Sequence, residues 1–134
     1  MDGFVMTMEV YRQMTHYCIS QQPIEACGLL SGSDQVARRF WPIRNDDRSP
    51  VSFTMNPVEL DEAFTYIEES GEECYAMFHS HPTGLPYPSP FDIEHMVYPI
   101  SSIIVSLASN HPRIRSYTIK EGKAYPERII LVPI

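Results

Sequence analysis

No run of apolar residues in these 134 positions approaches the roughly 18 that a membrane-spanning helix needs, so no span is expected. Met1-Asp2-Gly3-Phe4 lacks the basic segment followed by an apolar stretch that marks a secretory signal. Cysteine is scarce and without paired spacing. Cys18, Cys27 and Cys74 make an odd number, which fits a reducing cytoplasm better than a disulfide framework. They read as buried small hydrophobes, with a redox or nucleophilic role as the alternative. Basic charge is short as well: ten Lys and Arg stand against 17 Asp and Glu, a net charge of −7. The nearest things to a basic cluster are Arg38-Arg39 and Arg113 with Arg115. A nucleic-acid binder gains affinity by neutralising phosphates, so no nucleic-acid partner is expected. Repeats, low-complexity segments and linkers are missing too, which leaves residues 1–134 as a single domain.

What is present is an ordinary globular balance, 43% apolar and 20% charged. Thr7 is placed to cap a helix over 8–21, with Glu9 in its first turn and Val10, Met14, Tyr17 and Cys18 on one face. Pro23 breaks it. Residues 25–31 and 35–43 read as strands around a turn at Gly32-Ser33-Asp34, a hairpin. After a loop of turn formers at 45–50 and an extended piece at 51–55 comes a strong helix start, Asn56-Pro57-Val58-Glu59. Leu60, Ala63, Phe64 and Ile67 form its buried stripe, and Gly71 ends it. Residues 74–79 read as an interior strand, 82–90 as a stiff loop with four prolines, and 90–97 as a short helix. Extended segments at 101–107, 113–120 and 124–132 finish the chain. The expected class is α/β, a mixed sheet flanked by about three helices.

The chemistry concentrates in His79-Ser80-His81-Pro82 and Ser89-Pro90-Phe91-Asp92. Alternate residues of a strand share a side, so both imidazoles project together at the strand's end. Alone, a His-x-His pair is weak evidence, and two edge histidines without a partner fit as well. Ser89-Pro90-x-Asp92 is a capping box with no function required. The two readings are compatible, because a capped helix start holds a ligand rigidly. His79, His81 and Asp92 are ligand types that zinc accepts, and three protein ligands plus an open position is the catalytic arrangement, which lowers the pKa of water to about 7. Such a site needs a proton carrier, and Glu25 is the candidate. It precedes the apolar run Ala26-Cys27-Gly28-Leu29-Leu30, where a lone carboxylate is costly. A solvent-facing residue at the strand's beginning is the equal alternative.

His79-x-His81-Pro82, six residues, then Ser89-x-x-Asp92, with upstream Glu25-x-Cys27-Gly28-Leu29-Leu30-x-Gly32, resembles the JAMM metallopeptidases, the catalytically active MPN-domain family. The resemblance covers essentially the whole chain. It implies a cytidine-deaminase-like mixed sheet, His79, His81 and Asp92 as ligands of one Zn²⁺ per chain, and Glu25 as general acid/base. It implies Ser89 as the hydroxyl that hydrogen-bonds the oxyanion. The short distance from Asp92 to the next strand leaves little room for the insertions of eukaryotic deubiquitinases, so the chain is similar to small stand-alone prokaryotic members. The implied partner is a ubiquitin-like or sulfur-carrier protein whose Gly-Gly tail is processed or relieved of cysteine. Its extended tail would lie against loop 83–88 or add as a strand to an exposed sheet edge. A non-catalytic MPN scaffold would have lost a ligand or the glutamate, and a RadC-like nucleic-acid role sits poorly with the acidic balance. His95 is a candidate to touch the site from behind or a plain surface residue. His16 and His111 have no spacing that recommends them, and Cys27, two residues from Glu25, is taken as packing.

Overall fold

The computed structural model describes residues 3–134. The chain opens with β1 (Phe4–Thr7), a strand too short for its pattern to be read from sequence, which runs straight into α1 (Met8–Ser20). Thr7 makes the change of direction: its hydroxyl oxygen accepts the Val10 N–H at 3.1 Å. The expected hairpin forms as β2 (Cys27–Ser33) with β3 (Val36–Ile43). However, β2 starts two residues later than expected and takes in Gly32 and Ser33, which pair with Ala37 and Val36, so the turn falls at Asp34-Gln35 rather than Gly32-Ser33-Asp34. Its turn residues Asp34 and Gln35 both have positive φ, 53° and 65°, which matches the right-handed twist of the strands.

α2 (Pro57–Glu69) starts as the sequence indicates, with Asn56 Oδ1 accepting the Glu59 N–H at 3.0 Å. The capping box is only half made, however. Glu59 Oε1 accepts instead from the Arg44 N–H at 2.7 Å, while the Asn56 N–H donates to the Arg44 carbonyl at 2.9 Å, tying the helix start to the end of β3. β4 (Glu73–His81) is longer than expected and runs through both histidines. α3 (Pro90–Glu94) is shorter and stops before His95. β5 (Ser101–Ser106) and β6 (Arg113–Lys120) follow. The segment expected as one strand over 124–132 is two, β7 (Lys123–Glu127) and β8 (Ile129–Val132). The extended piece at 51–55 contributes a single bridge, Met55 with Asn45.

These strands form one mixed sheet in the order β7-β6-β5-β4-β2-β3-β1-β8. β7 and β8 lie at opposite ends of that order, yet only Arg128 separates them in the chain. The sheet therefore rolls until its two ends meet, and the Arg128 carbonyl accepts the Phe4 N–H at 2.8 Å at the junction. Alternation along the strands gives two cores. On one face Val10, Met14 and Cys18 of α1 pack against Leu30, Ala76, Phe78, Ile103 and Val105. On the other, Ala63 and Ile67 of α2 pack against Cys27, Leu29 and Ile43. Among the described residues no helix is long and apolar enough to cross a membrane.

Gly28 sits where β2 passes closest to its neighbours. A Cβ there would lie 2.2 Å from the Trp41 carbonyl oxygen and 2.4 Å from Phe78 Cε2, neither of which can yield without moving the sheet. Gly28→Ala should destabilise the fold by about 3 kcal/mol, the upper part of the usual overpacking range. Urea unfolding reads this as a lowered midpoint, and an unchanged midpoint would mean the sheet relaxes freely at this point.

Candidate active site

β4 lies antiparallel to β2 and parallel to β5. Cys27 faces His79 across the first pair. One step further the Ser80 N–H donates to the Ala26 carbonyl at 3.0 Å, and the Ala26 N–H donates to Ser80 Oγ at 2.8 Å. The same register brings Glu25 opposite His81, so Glu25, His79 and His81 occupy the α2 side of the sheet. The parallel neighbour β5 supplies the remaining constraint. Parallel strands need a crossover of a dozen or more residues, and here residues 82–100 make it, carrying the proline-rich loop and α3. That crossover brings Asp92, in the first turn of α3, back over the end of β4.

Three ligand atoms converge there. His79 Nε2 and His81 Nε2 are 3.2 Å apart, and Asp92 Oδ2 lies 3.2 Å from the first and 3.1 Å from the second. Ligand atoms bound tetrahedrally at 2.0–2.1 Å from a zinc ion stand about 3.3 Å from one another, so these three already have the spacing of a shared metal. The tautomer agrees. His81 Nδ1 is 2.8 Å from the Leu85 carbonyl, which can only accept, so Nδ1 carries a proton and Nε2 is the nitrogen a metal would take once its own proton is displaced. Phe53 stacks on His79 with centroids 4.7 Å apart and 25° between the rings.

The charges are arranged to match. Burial works against an ionised Asp92, but His79, His81 and the Ser89 N–H outweigh it and hold its carboxyl well below the usual range. Burial lowers the pKa of His79 despite the pull of Asp92. For His81 burial acts in the same direction, but the bonds to Asp92 and the Leu85 carbonyl outweigh it and raise the pKa. Glu25 is only 5% exposed, and its Oε1 is the one fully buried side-chain polar atom among the described residues without a hydrogen-bond partner. Burial pushes its carboxyl from an ordinary 4.5 up to about 7, with His81 pulling down and Asp92 and Asp47 pushing up. Its backbone is fixed from both sides. The Glu25 N–H donates to the Ser49 carbonyl at 2.9 Å, and Asn45 Nδ2 donates to the Glu25 carbonyl at 3.0 Å. Asn45 spends its other polar capacity on loop residues 47, 52 and 54, a role invisible in sequence because Glu25 is 20 residues away.

Ser89 is the N-cap of α3, with both halves of the capping box made: the Asp92 N–H to Ser89 Oγ at 3.1 Å and the Ser89 N–H to Asp92 Oδ2 at 2.9 Å. The hydroxyl oxygen is thus used as an acceptor while its proton stays available to donate. His95 ends α3, exposed, with Nδ1 2.9 Å from the Phe91 carbonyl and its ring 4.0 Å from Phe91. Cys27 is fully buried, its thiol donates to the Ile43 carbonyl at 3.3 Å, and burial pushes its pKa up to about 12, which makes it a packing residue. A cleft of about 340 Å³ opens beside His79 and Asp92, walled by Phe53, Leu60, Met77 and Tyr98. β2 and β4 are interior strands with partners on both sides, so the strands carrying the site present no free edge to which an extended chain could add.

Two imidazoles from a strand end and a carboxylate from a capped helix, brought to metal-ligand spacing beside a buried carboxyl group, form a candidate metal site of three protein ligands. Comparison with known proteins narrows this. Residues 7–120 match the family described as prokaryotic homologs of the JAB domain, and the chain belongs to that family. It is similar to a desampylase from Pyrococcus furiosus, 36% identical over 89 residues, 66% of this chain and 64% of that protein. It is also similar to the CysO-cysteine peptidase of Mycobacterium tuberculosis, 28% identical over 132 residues, 96% of this chain and 90% of that one. A solution structure of a Desulfitobacterium hafniense protein superposes with a TM-score of 0.87 at 32% identity, over 97% of this chain and 93% of that chain.

The raised pKa of Glu25 has a thermodynamic sign. Between about 4.5 and about 7 the folded, metal-free protein holds a proton on Glu25 that the unfolded chain has released, so this group removes stability as pH rises through that window. Glu25→Gln removes the group. With chelator present, its melting temperature should match the unmutated protein's near pH 4.5 and exceed it by a margin that grows until about pH 7. Melting curves that stay parallel across that range would mean Glu25 is not held protonated.

Proposed function

We propose that this chain is a zinc-dependent peptidase or isopeptidase acting at the C-terminal tail of a ubiquitin-like or sulfur-carrier protein. The observation that carries the reading is the unpartnered Glu25 oxygen beside three converged ligand atoms. A carboxylate buried without a hydrogen bond is costly, and retaining one next to a metal site is reasonable where it has a proton to move. The relatives named as a desampylase and a CysO-cysteine peptidase support the substrate class.

In this reading His79, His81 and Asp92 hold one zinc ion. When bound, the ion supplies Lewis acidity, lowering the pKa of a coordinated water to about 7. Glu25 takes the proton that the attacking water sheds and passes it to the leaving nitrogen, a role suited to a carboxyl titrating near 7. The Ser89 hydroxyl, whose proton is uncommitted, donates to the oxyanion of the scissile carbonyl. The substrate tail runs along loop 83–88, where Leu85 and Tyr87 stand exposed at 57% and 56%. Val97, exposed at 75%, adds apolar surface at the cleft beside His79 and Asp92. We take the chain as a single domain that works in the cytoplasm, consistent with three free cysteines. With a net charge of −7 a nucleic-acid partner is not part of this reading.

The purified protein should contain about one zinc ion per chain and cleave a sulfur carrier extended beyond its Gly-Gly terminus. Glu25→Gln should keep the zinc and lose roughly 10²- to 10⁴-fold in rate. Ser89→Ala should lower kcat by about 10²- to 10³-fold. Cleavage surviving in Glu25→Gln would remove Glu25 as the proton carrier, and a zinc-free unmutated protein would end the metal reading.

A further inference from the structure

Loop 82–89 has no helix or strand of its own, yet three of its successive carbonyls are each taken by a side-chain donor. Ser106 Oγ–H donates to the Gly84 carbonyl at 2.6 Å, His81 Nδ1–H to the Leu85 carbonyl at 2.8 Å, and Tyr117 O–H to the Pro86 carbonyl at 2.8 Å. Ser106 ends β5 directly beside His81 in the parallel register, and Tyr117 stands on the adjoining β6. Both are buried, at 1% and 5% exposure, as is Pro86. The carbonyl that orients His81 is therefore flanked by two peptide units anchored to the sheet. A carbonyl fixes an imidazole only as well as it is itself fixed. Released, the Leu85 carbonyl drifts, and His81 becomes free to turn about χ2 or to move its proton to Nε2, the atom needed as a ligand.

We propose that Tyr117 and Ser106 are positioning residues for His81. By clamping the loop on either side of the Leu85 carbonyl, they keep the His81 proton on Nδ1 and the Nε2 lone pair aimed at the point shared with His79 and Asp92. The proposal rests on the metal reading of that triad. Neither residue touches the ligand atoms, and neither stands out in sequence, since Tyr117 lies 36 positions from His81 and its hydroxyl reaches a main-chain atom rather than a side chain.

The test uses the full chain stripped of metal and titrated with zinc against a competing chelator, with the cobalt(II) absorption spectrum as a readout of ligand geometry. Partners of metal ligands typically contribute 10- to 100-fold in affinity, and the indirect route taken here sets the expectation at about 10-fold weaker zinc binding in Tyr117→Phe and in Ser106→Ala, with an altered cobalt spectrum. Ser31→Ala serves as the control, because it also deletes the hydrogen bonds of a buried hydroxyl, to Glu72 and from Trp41, at the far end of β2. It should lower the melting temperature of the metal-free protein and leave zinc affinity unchanged. If Tyr117→Phe does not fold, Ser106→Ala alone decides. Zinc bound equally tightly by the unmutated protein and the folded clamp variants overturns the proposal and leaves the metal reading standing. An unmutated protein that binds no zinc overturns both.

Discussion

The parallel pairing of β4 with β5 is the constraint from which the site follows. An antiparallel neighbour can be reached by a two-residue turn, whereas a parallel one forces the chain to leave at His81 and travel back the length of the strand before pairing again. That return carries the proline-rich loop and α3 over the strand end and delivers Asp92 to the two imidazoles. The same geometry places β2 on the other flank of β4, and with it Glu25. One topological choice thus gathers four residues that are spread over 68 positions of sequence, from Glu25 to Asp92.

Holding such a group is unfavourable for folding, and the structure offsets the strain locally. Asp92 remains ionised because two imidazoles and the Ser89 N–H face it. His81 is satisfied through the Leu85 carbonyl, and the α3 N-terminus is capped within its own first turn. Of the fully buried side-chain polar atoms among the described residues, Glu25 Oε1 alone is left without a hydrogen-bond partner, although main-chain and Asn45 hydrogen bonds fix the residue's backbone. A buried neutral carboxyl oxygen that finds no hydrogen bond costs on the order of 1–3 kcal/mol by mutational standards, and the ionised form costs more, which is why burial raises the Glu25 pKa. The three converged ligand atoms are therefore held firmly by their neighbours, while the Glu25 carboxyl beside them keeps one oxygen unpaired.

Rolling the sheet supplies the packing of its two faces. With β7 and β8 joined through Arg128, the α1 face becomes concave and encloses the aromatic cluster of Tyr17, Phe40 and Phe78, whose Tyr17–Phe40 and Phe40–Phe78 centroids are both 5.5 Å apart. Phe78 lies between the two halves of the molecule's chemistry: its neighbour His79 points to the α2 side while its own ring fills the α1 side. The alternation of a strand is what allows a hydrophobic core and a polar site to share successive residues.

Much of this was written in local sequence. The caps at Thr7, Asn56 and Ser89, the hairpin turn, and the His-x-His and Ser-x-x-Asp spacings act over two to four residues, so the chain's own order fixes them. Three features escaped it for the opposite reason. β1 is too short to show a period, and β7 and β8 look continuous in sequence although they pair at opposite ends of the strand order, joined at Arg128. Glu59 completes no capping box because Arg44, fifteen residues earlier, offers it a better-placed N–H. The amino-acid sequence by itself determined which residues are the candidates for the site and the local spacings, His-x-His and Ser-x-x-Asp, that hold them in pairs. Only the tertiary structure decided that Glu25 faces the site rather than solvent, that Asn45 and the Leu85 carbonyl hold its members in place, and that no interior strand has an edge to lend a substrate. Each of those depends on contacts between distant segments, whose partners no local pattern specifies.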